Sequence, residues 1–451
     1  MHGYLIWERL DRGVANYDWL SKFLAATVRH LNCYTFDHCL ISLVFNPNNE
    51  TQRWYIRPFR FKEMWLPDSG CNNIMLRAWQ VGHEGSPMFK FTKKKKKKKK
   101  LKKCKMLKSW SKDHFGNVKN QIAKKNESLW KAEEVTAKGG NYDAVITLRR
   151  ELNILLDKES QMWRERSRTQ WVAKGDKNTK YFHEVATQRK RSNFIKGVRD
   201  ANGVWQSKEG VVLNIFVDFY RRLFSSSNIH DLDRVLEGVK RVVSDSMNVK
   251  LLNPYTKDEV DVAIKKMAPL KAPGPDGMPP LFYQSLWQNI GSKVSEAVPS
   301  CLNSSTLLKS INHTFITLLP KVCNSENVLE FRPINLCNVL YKIISKVIVS
   351  RLKPIPHSIV SEVQSAFTAD RLITDNILIA FESLHYMKTQ CSRKEDFMAL
   401  KLDMGKAYDR MKWSFLEKIL LQMGFQDSWV AMIMQCVSTM TYSILFNGEP
   451  K

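Results

Sequence analysis

A carboxylate ends an apolar run near residue 400. Ala399, Leu400 and Leu402 have the composition of a covered strand with Asp403 at its tip, Gly405 permits a tight exit, and Lys406 onward has helical composition. A carboxylate so placed can hold a hard cation such as Mg2+, and two such ions stabilise both the attacking and the leaving oxygen of a phosphoryl transfer. Asp403 can equally be a cap for the helix that follows. A second pair of residues is cationic. Thr314 to Leu319 is β-branched and apolar and ends in Pro320-Lys321; after a polar excursion, Phe331 to Leu336 returns with Arg332. Two strands that each present a cation can clamp a nucleotide's triphosphate, or the two side chains can be surface cations of an ordinary hairpin. A third group interleaves rings with charge: Trp171, Lys174, Lys177, Lys180, Tyr181, Phe182 and then Arg189, Lys190 and Arg191. Such a surface can stack bases and neutralise phosphates, and a solvated helix docked on a neighbour would have the same composition.

The elements that must position these groups follow from periodicity and turn chemistry. Leu270 to Pro279, LKAPGPDGMP, is a rigid loop in which prolines fix dihedrals and glycines allow close approach. It leads into an amphipathic helix carrying Phe282, Leu286 and Ile290. A helix over 339–352 keeps Leu340, Ile343, Ile344, Val347 and Leu352 on apolar faces and exposes Lys342, Lys346 and Arg351. Trp413, Leu416, Ile419, Leu420 and Met423 point inward from another helix, closed by Gly424, before a strand over 441–446 and an Asn447-Gly448 turn. Earlier, Leu148, Leu152, Leu155 and Met162 make one stripe of a basic helix, and Asn202-Gly203 marks a two-residue hairpin.

Charge and cysteines bound the partners. The chain has 451 residues, 43% of them hydrophobic, and a formal net charge of +27, which favours a polyanion, nucleic acid ahead of an anionic membrane surface. Setting aside the eleven lysines between Lys93 and Lys105, 27 less 11 still leaves +16. The eight consecutive lysines from Lys93 read as a solvated tract, a nuclear-import signal or a non-specific phosphate grip. The nine cysteines contain no CxxC pair, which argues against a zinc site or a disulfide framework. No apolar run approaches the length of a membrane span and the first residues lack a signal-peptide core, so the expectation is a soluble protein of a reducing compartment, with no membrane partner.

Three stretches carry a resemblance. The run WRERSRTQWVAKGDKNTKYFH, from Trp163, resembles the segment that joins endonuclease to polymerase in LINE-type, non-LTR retrotransposon polyproteins. The loop at Lys271 to Gly277, Lys321, Arg332, Gln364-Ser365-Ala366-Phe367 and Arg371 then follow in the order of a LINE-type reverse transcriptase, with Asp370 where a glycine is usual before that arginine. The stretch around Asp403 is similar to the first palm motif of that family. The resemblance implies a metal ligand at Asp403 with help from the backbone carbonyl of Met404, triphosphate contacts from Lys321 and Arg332, and a steric gate against the 2′-hydroxyl at Tyr408. At the other end, Arg9 to Arg12 and Thr35 to Ile41 look like the last part of an endonuclease/exonuclease/phosphatase-family domain, with Asp11, Asp37 and His38 at matching positions and Phe36 and Leu40 departing from the pattern.

Together these readings imply an α+β chain: a β-rich endonuclease remnant over 1–45, an irregular segment with the lysine tract over 46–105, a mostly helical basic linker over 106–230, and a truncated right-hand polymerase, fingers and start of the palm, over 231–451. The family's glycine-glutamine motif and paired aspartates are expected after Lys451. The implied function is a fragment of an RNA-directed DNA polymerase that uses Mg2+, an RNA template, a DNA primer or target DNA and dNTPs, found in nucleus and cytoplasm as a retroelement ribonucleoprotein, with negligible synthesis by these residues alone. The alternatives are a non-catalytic nucleic-acid-binding remnant and an incomplete endonuclease.

Overall fold

A computed structural model describes residues 14–16, 19, 23, 26–30, 41–44, 58–79, 86–93, 100–138, 142–167, 179–226, 232–355, 359–366, 368, 370–389, 398–403 and 405–451. In chain order the elements are β1 (Thr27–His30) and β2 (Ile41–Val44), then α1 (Ser69–Trp79), α2 (Pro87–Lys93), α3 (Lys100–Phe115), α4 (Val118–Ala137), α5 (Asp143–Ser167) and α6 (Thr179–Ser192). A small hairpin, β3 (Val198–Arg199) and β4 (Trp205–Gln206), precedes α7 (Glu209–Leu223), α8 (Leu232–Leu236), α9 (Asp245–Leu252), α10 (Lys257–Lys265), α11 (Pro280–Ser285) and α12 (Trp287–Asn303). Next come β5 (His313–Pro320), β6 (Phe331–Leu336), α13 (Val339–Leu352), α14 (Ile373–Thr389), α15 (Trp413–Gln422), α16 (Asp427–Ser438), β7 (Thr441–Phe446) and β8 (Glu449–Pro450). The class is α+β, and no helix among the described residues is long and apolar enough to cross a membrane.

Local chemistry sets many of these boundaries. Asn117 caps α4 by accepting from the amides of Lys119 and Asn120, and Thr256 with Glu259 forms a reciprocal capping box on α10. The chain reverses at Asn202-Gly203, but not as the two-residue turn its sequence predicts: the Asp200 amide donates to the Val204 carbonyl and the Gly203 amide to the Asp200 carbonyl, both at 3.0 Å, so that 201–203 form a three-residue loop with only Gly203 at positive φ. Gly203 takes a φ of +78°, and Asp200 accepts from the amides of Asn202 and Val204 at 3.0 Å, which fixes the β3–β4 register. Helix α12 continues α11 with a break at Leu286, which is itself buried with Phe282 and Ile290.

The main sheet has the order β6-β5-β7-β8. β5 pairs antiparallel with β6 and parallel with β7, so everything from 321 to 440 is a crossover between two neighbouring strands. Period-2 alternation sends Ile316 and Leu318 of β5, Phe331 of β6, and Ile444 and Phe446 of β7 to one core, closed by Val212, Phe216 and Tyr220 of α7. The larger core gathers α10, α12, α13 and α16, with Val294, Val298, Leu340, Ile343, Ile344 and Trp429 inside.

Two expectations need correction. The segment 46–105, read as irregular, carries α1, α2 and the start of α3 and contributes Phe61, Met64, Trp65, Met75, Met88 and Phe91 to the larger core. Phe61 meets Phe282 edge-on at 5.1 Å, so large apolar side chains scattered without clear period still find cover from distant elements. Of the lysine run, Lys93 ends α2 and Lys100 begins α3, and Lys94 to Lys99 lie outside the described residues. The expected covered strand before Asp403 is also absent. Residues 398–403 form no strand, and Met398, Leu400 and Leu402 are 86%, 73% and 77% exposed. A strand needs a partner's backbone and cover for its apolar face, and neither is supplied to this stretch among the described residues. Helix α14 likewise has no buried residue.

Candidate functional site

The cationic hairpin is built as its sequence suggests. Leu319 lies opposite Arg332 in the β5–β6 register, and the exposed Arg332 side chain belongs to the sheet face opposite Phe331 and Leu318, which α7 covers. Lys321 follows the last β5 residue. Its amide donates to the Glu330 carbonyl at 2.7 Å, and its exposed ammonium donates to the Leu329 carbonyl at 2.7 Å. Both cations therefore sit at one end of a single hairpin, with Lys321 folded back on its own loop.

The stretch with Asp403 takes a different form from its sequence reading. Asp403 is exposed and makes no hydrogen bond or ion pair among the described residues. Nor does it cap a helix: the next helical turn is a 3-10 turn, Tyr408–Arg410, capped at Ala407, and α15 begins only after Lys412. Tyr408 is 74% exposed. Met404 lies outside the described residues, as do Asp11, Asp37 and His38 of the endonuclease resemblance.

A residue with no signal in the sequence joins these pieces. Lys406 places its Nζ 4.1 Å from the ring centre of Phe219 and 5.7 Å from that of Tyr220, both on α7. Burial pushes its pKa down; Asp409 opposes that shift, while Lys321 and Arg410 add to it. The charges of Lys321, Asp409 and Arg410 thus all reach Lys406. Aromatic stacking continues past Tyr220 to Phe224 at 5.7 Å and from Phe224 to Tyr442 of β7 at 5.3 Å. Burial raises the Tyr220 phenol to about 12, and Asp409 adds to the shift.

The loop at 270–279 is held from three sides. Buried Asn338 accepts from the Asp276 amide at 3.1 Å and donates to the carbonyls of Ile311 and His313 at 2.8 and 3.2 Å. Lys342 donates to the Ala272 carbonyl at 3.1 Å, and the Gly277 carbonyl receives the Phe61 amide at 2.9 Å. Gly274 leaves no room for a Cβ, which would meet the Asn338 nitrogen at 2.5 Å, and Gly277 has a φ of +72°. The loop's glycines are thus used as the sequence implies, for close approach.

Helix α6 carries four of the six expected nucleic-acid contacts, three of them in one turn. Lys180 is in its first turn and Arg189, Lys190 and Arg191 in its last, roughly 15 Å apart along the axis. Arg189 and Lys190 are exposed and Arg191 is half-buried, while Lys174 and Lys177 lie outside the described residues. Cations in a last turn also complement the helix dipole. Among the described residues no group of three His, Cys, Asp or Glu side chains could hold a metal. One exposed carboxylate at Asp403, with Asp409 beside Lys406, does not fit a pair of Mg2+ ions, each of which wants several oxygens in near-octahedral array.

One segment of the chain is similar to known proteins. Residues 324–450 match the family model described as reverse transcriptase (RNA-dependent DNA polymerase). The match contains Arg332, Asp403 and Tyr408, and begins three residues after Lys321. The chain is also 27% identical over 268 residues to a Xenopus laevis protein described as the transposon TX1 uncharacterized 149 kDa protein, an alignment that covers 59% of this chain and 20% of that protein. The chain thus spans about a fifth of the length of that relative.

Proposed function

We propose that residues 231–451 are the fingers and the start of the palm of a LINE-type, non-LTR retrotransposon reverse transcriptase. In this reading they hold an RNA template, a DNA primer or target and an incoming dNTP. The observation that carries it is the β5–β6 hairpin: Leu319 opposite Arg332, with Lys321 at the strand end, sets two cations at one sheet end, and the charge of Lys321 reaches Lys406 in the 405–410 turn. Two cations at one sheet end can neutralise a triphosphate, with Lys321 exchanging its bond to the Leu329 carbonyl for one to a phosphate oxygen. In the same reading Lys321 and Arg332 grip the phosphates, Tyr408 lies under the sugar and excludes a 2′-hydroxyl, and Asp403 is a metal carboxylate. The reverse transcriptase match and the transposon relative support the assignment.

Reverse transcriptases use divalent ions, which supply charge neutralisation at the reacting phosphate. The donor set here does not fit two of them, so these residues bind and orient substrates without a complete catalytic centre. In a primer-extension assay on a homopolymer RNA template, the 451-residue chain should give negligible synthesis, indistinguishable from Asp403→Asn. Robust Asp403-dependent extension would contradict this reading. That incomplete donor set also favours the second reading, a nucleic-acid-binding remnant without catalysis, which shares the substrate-binding expectations. For the endonuclease reading, the three residues concerned lie outside the described structure, and it is not proposed.

A further inference from the structure

The turn that follows Asp403 is attached to α7, an element 100 residues and more upstream of the reverse transcriptase match. Lys406 makes the attachment. Its ammonium lies over the Phe219 ring at 4.1 Å and near the Tyr220 ring at 5.7 Å, is shut off from solvent, and has no hydrogen-bond acceptor among the described residues. A lysine normally keeps its ammonium in water, so a sealed ammonium over aromatic faces marks a specific contact. Its backbone is also unusual, with φ of +58° in the left-handed region that non-glycine residues seldom occupy. In that conformation the chain reverses at 405–407 and enters the 3-10 turn that carries Tyr408, while the Arg410 amide donates back to the Lys406 carbonyl at 3.2 Å.

The placement excludes one role for Lys406 and favours another. A triphosphate ligand must present its ammonium to solvent, as Lys321 does; the Lys406 ammonium is covered. We propose that Lys406 is a positioning residue: Phe219 and Tyr220 of α7 hold its ammonium and so fix the 405–410 turn beside the hairpin that carries Lys321. Helix α7 then forms a wall of the nucleotide site, although it lies outside the matched segment. The contact stands on geometry alone; its consequence for nucleotide binding rests on the function proposed above.

Hydrogen–deuterium exchange on the full 451-residue chain separates the two. Phe219→Leu and Lys406→Met should each speed exchange of the 405–411 amides by about five- to tenfold, with α13 and β5 unchanged as the control for folding. Lys406→Arg, which keeps a cation over the rings, should restore most of the protection, and the double variant Phe219→Leu/Lys406→Met should exchange no faster than either single one. The same variants should weaken Mg2+·dATP binding, read by calorimetry, and Lys406→Arg should rescue it. Unchanged exchange at 405–411 in both single variants, or fully additive effects in the double, would overturn the anchor. Wild-type chain that shows the expected exchange pattern but no dATP binding supports the anchor and removes the nucleotide reading.

Discussion

Arg351 ties three helices together through one side chain. Its guanidinium meets Glu259 through two hydrogen bonds of 2.6 and 2.8 Å, donates to the carbonyls of Leu251, Asn253 and Pro254, and lies over the Tyr255 ring at 3.6 Å. It joins the last turn of α13 to α9 and α10. Burial works to raise the Glu259 carboxyl, but Arg351 and Thr256 bring its pKa below the usual value. A depressed carboxylate contributes stability that is present above its unfolded pKa, about 4.3, and lost as pH falls through the folded value. Arg351→Ala should therefore cost about 3–5 kcal/mol at neutral pH, and its loss of stability between pH 5 and 3.5 should be shallower than that of the wild type in urea melts. At this scale the sequence was readable where a residue type answers a local need. Asp370, where the resemblance implies a glycine, has a φ of +61°, a left-handed backbone that Asp is among the few non-glycine residues to tolerate. Lys406 was not readable, because its partners lie 186 and 187 residues earlier in the chain and nothing in either segment's composition announces the other.

Elements were legible where period and turn chemistry agreed. β5, β6 and α13 follow from alternation and a 3.6-residue stripe, and the Asn-Gly pair marks where β3 reverses into β4 though not the length of the loop, all from local quantities. The 58–93 helices were not, because their apolar residues become a face only against α12 and the 270–279 loop. The strand before Asp403 failed for the converse reason: apolar composition proposes a strand, and only a paired, covering neighbour makes one. Composition places α7 in a basic linker, yet it covers the sheet, with Phe216 fully buried and edge-on to Phe331 at 5.2 Å. Phe216→Ala should cost about 3–5 kcal/mol and shift the denaturation midpoint of the whole chain; a loss under about 1 kcal/mol would mean that α7 docks loosely.

For the molecule as a whole, a net charge of +27 predicts salt-sensitive binding to nucleic acid. If about six phosphates are contacted, affinity for a single-stranded RNA should fall roughly a hundredfold to a thousandfold between 50 and 200 mM salt. Replacing Arg189 and Lys190 with Ala should lower the slope by about one for each phosphate no longer neutralised, as measured by fluorescence anisotropy. Nearly constant affinity across that range would argue against phosphate-driven contact.

If the β5–β6 hairpin and the 405–410 turn form a deoxynucleotide site, the chain must tell a deoxynucleotide from a ribonucleotide. Calorimetric titration of the full chain with Mg2+·dTTP and with Mg2+·UTP reads that difference. The dTTP should bind more tightly than UTP, Lys321→Ala and Arg332→Ala should each weaken dTTP by about tenfold or more, and Tyr408→Ala should narrow the gap between the two nucleotides. Binding of dTTP that is undetectable, or indifferent to both cations and to Tyr408, would contradict such a site.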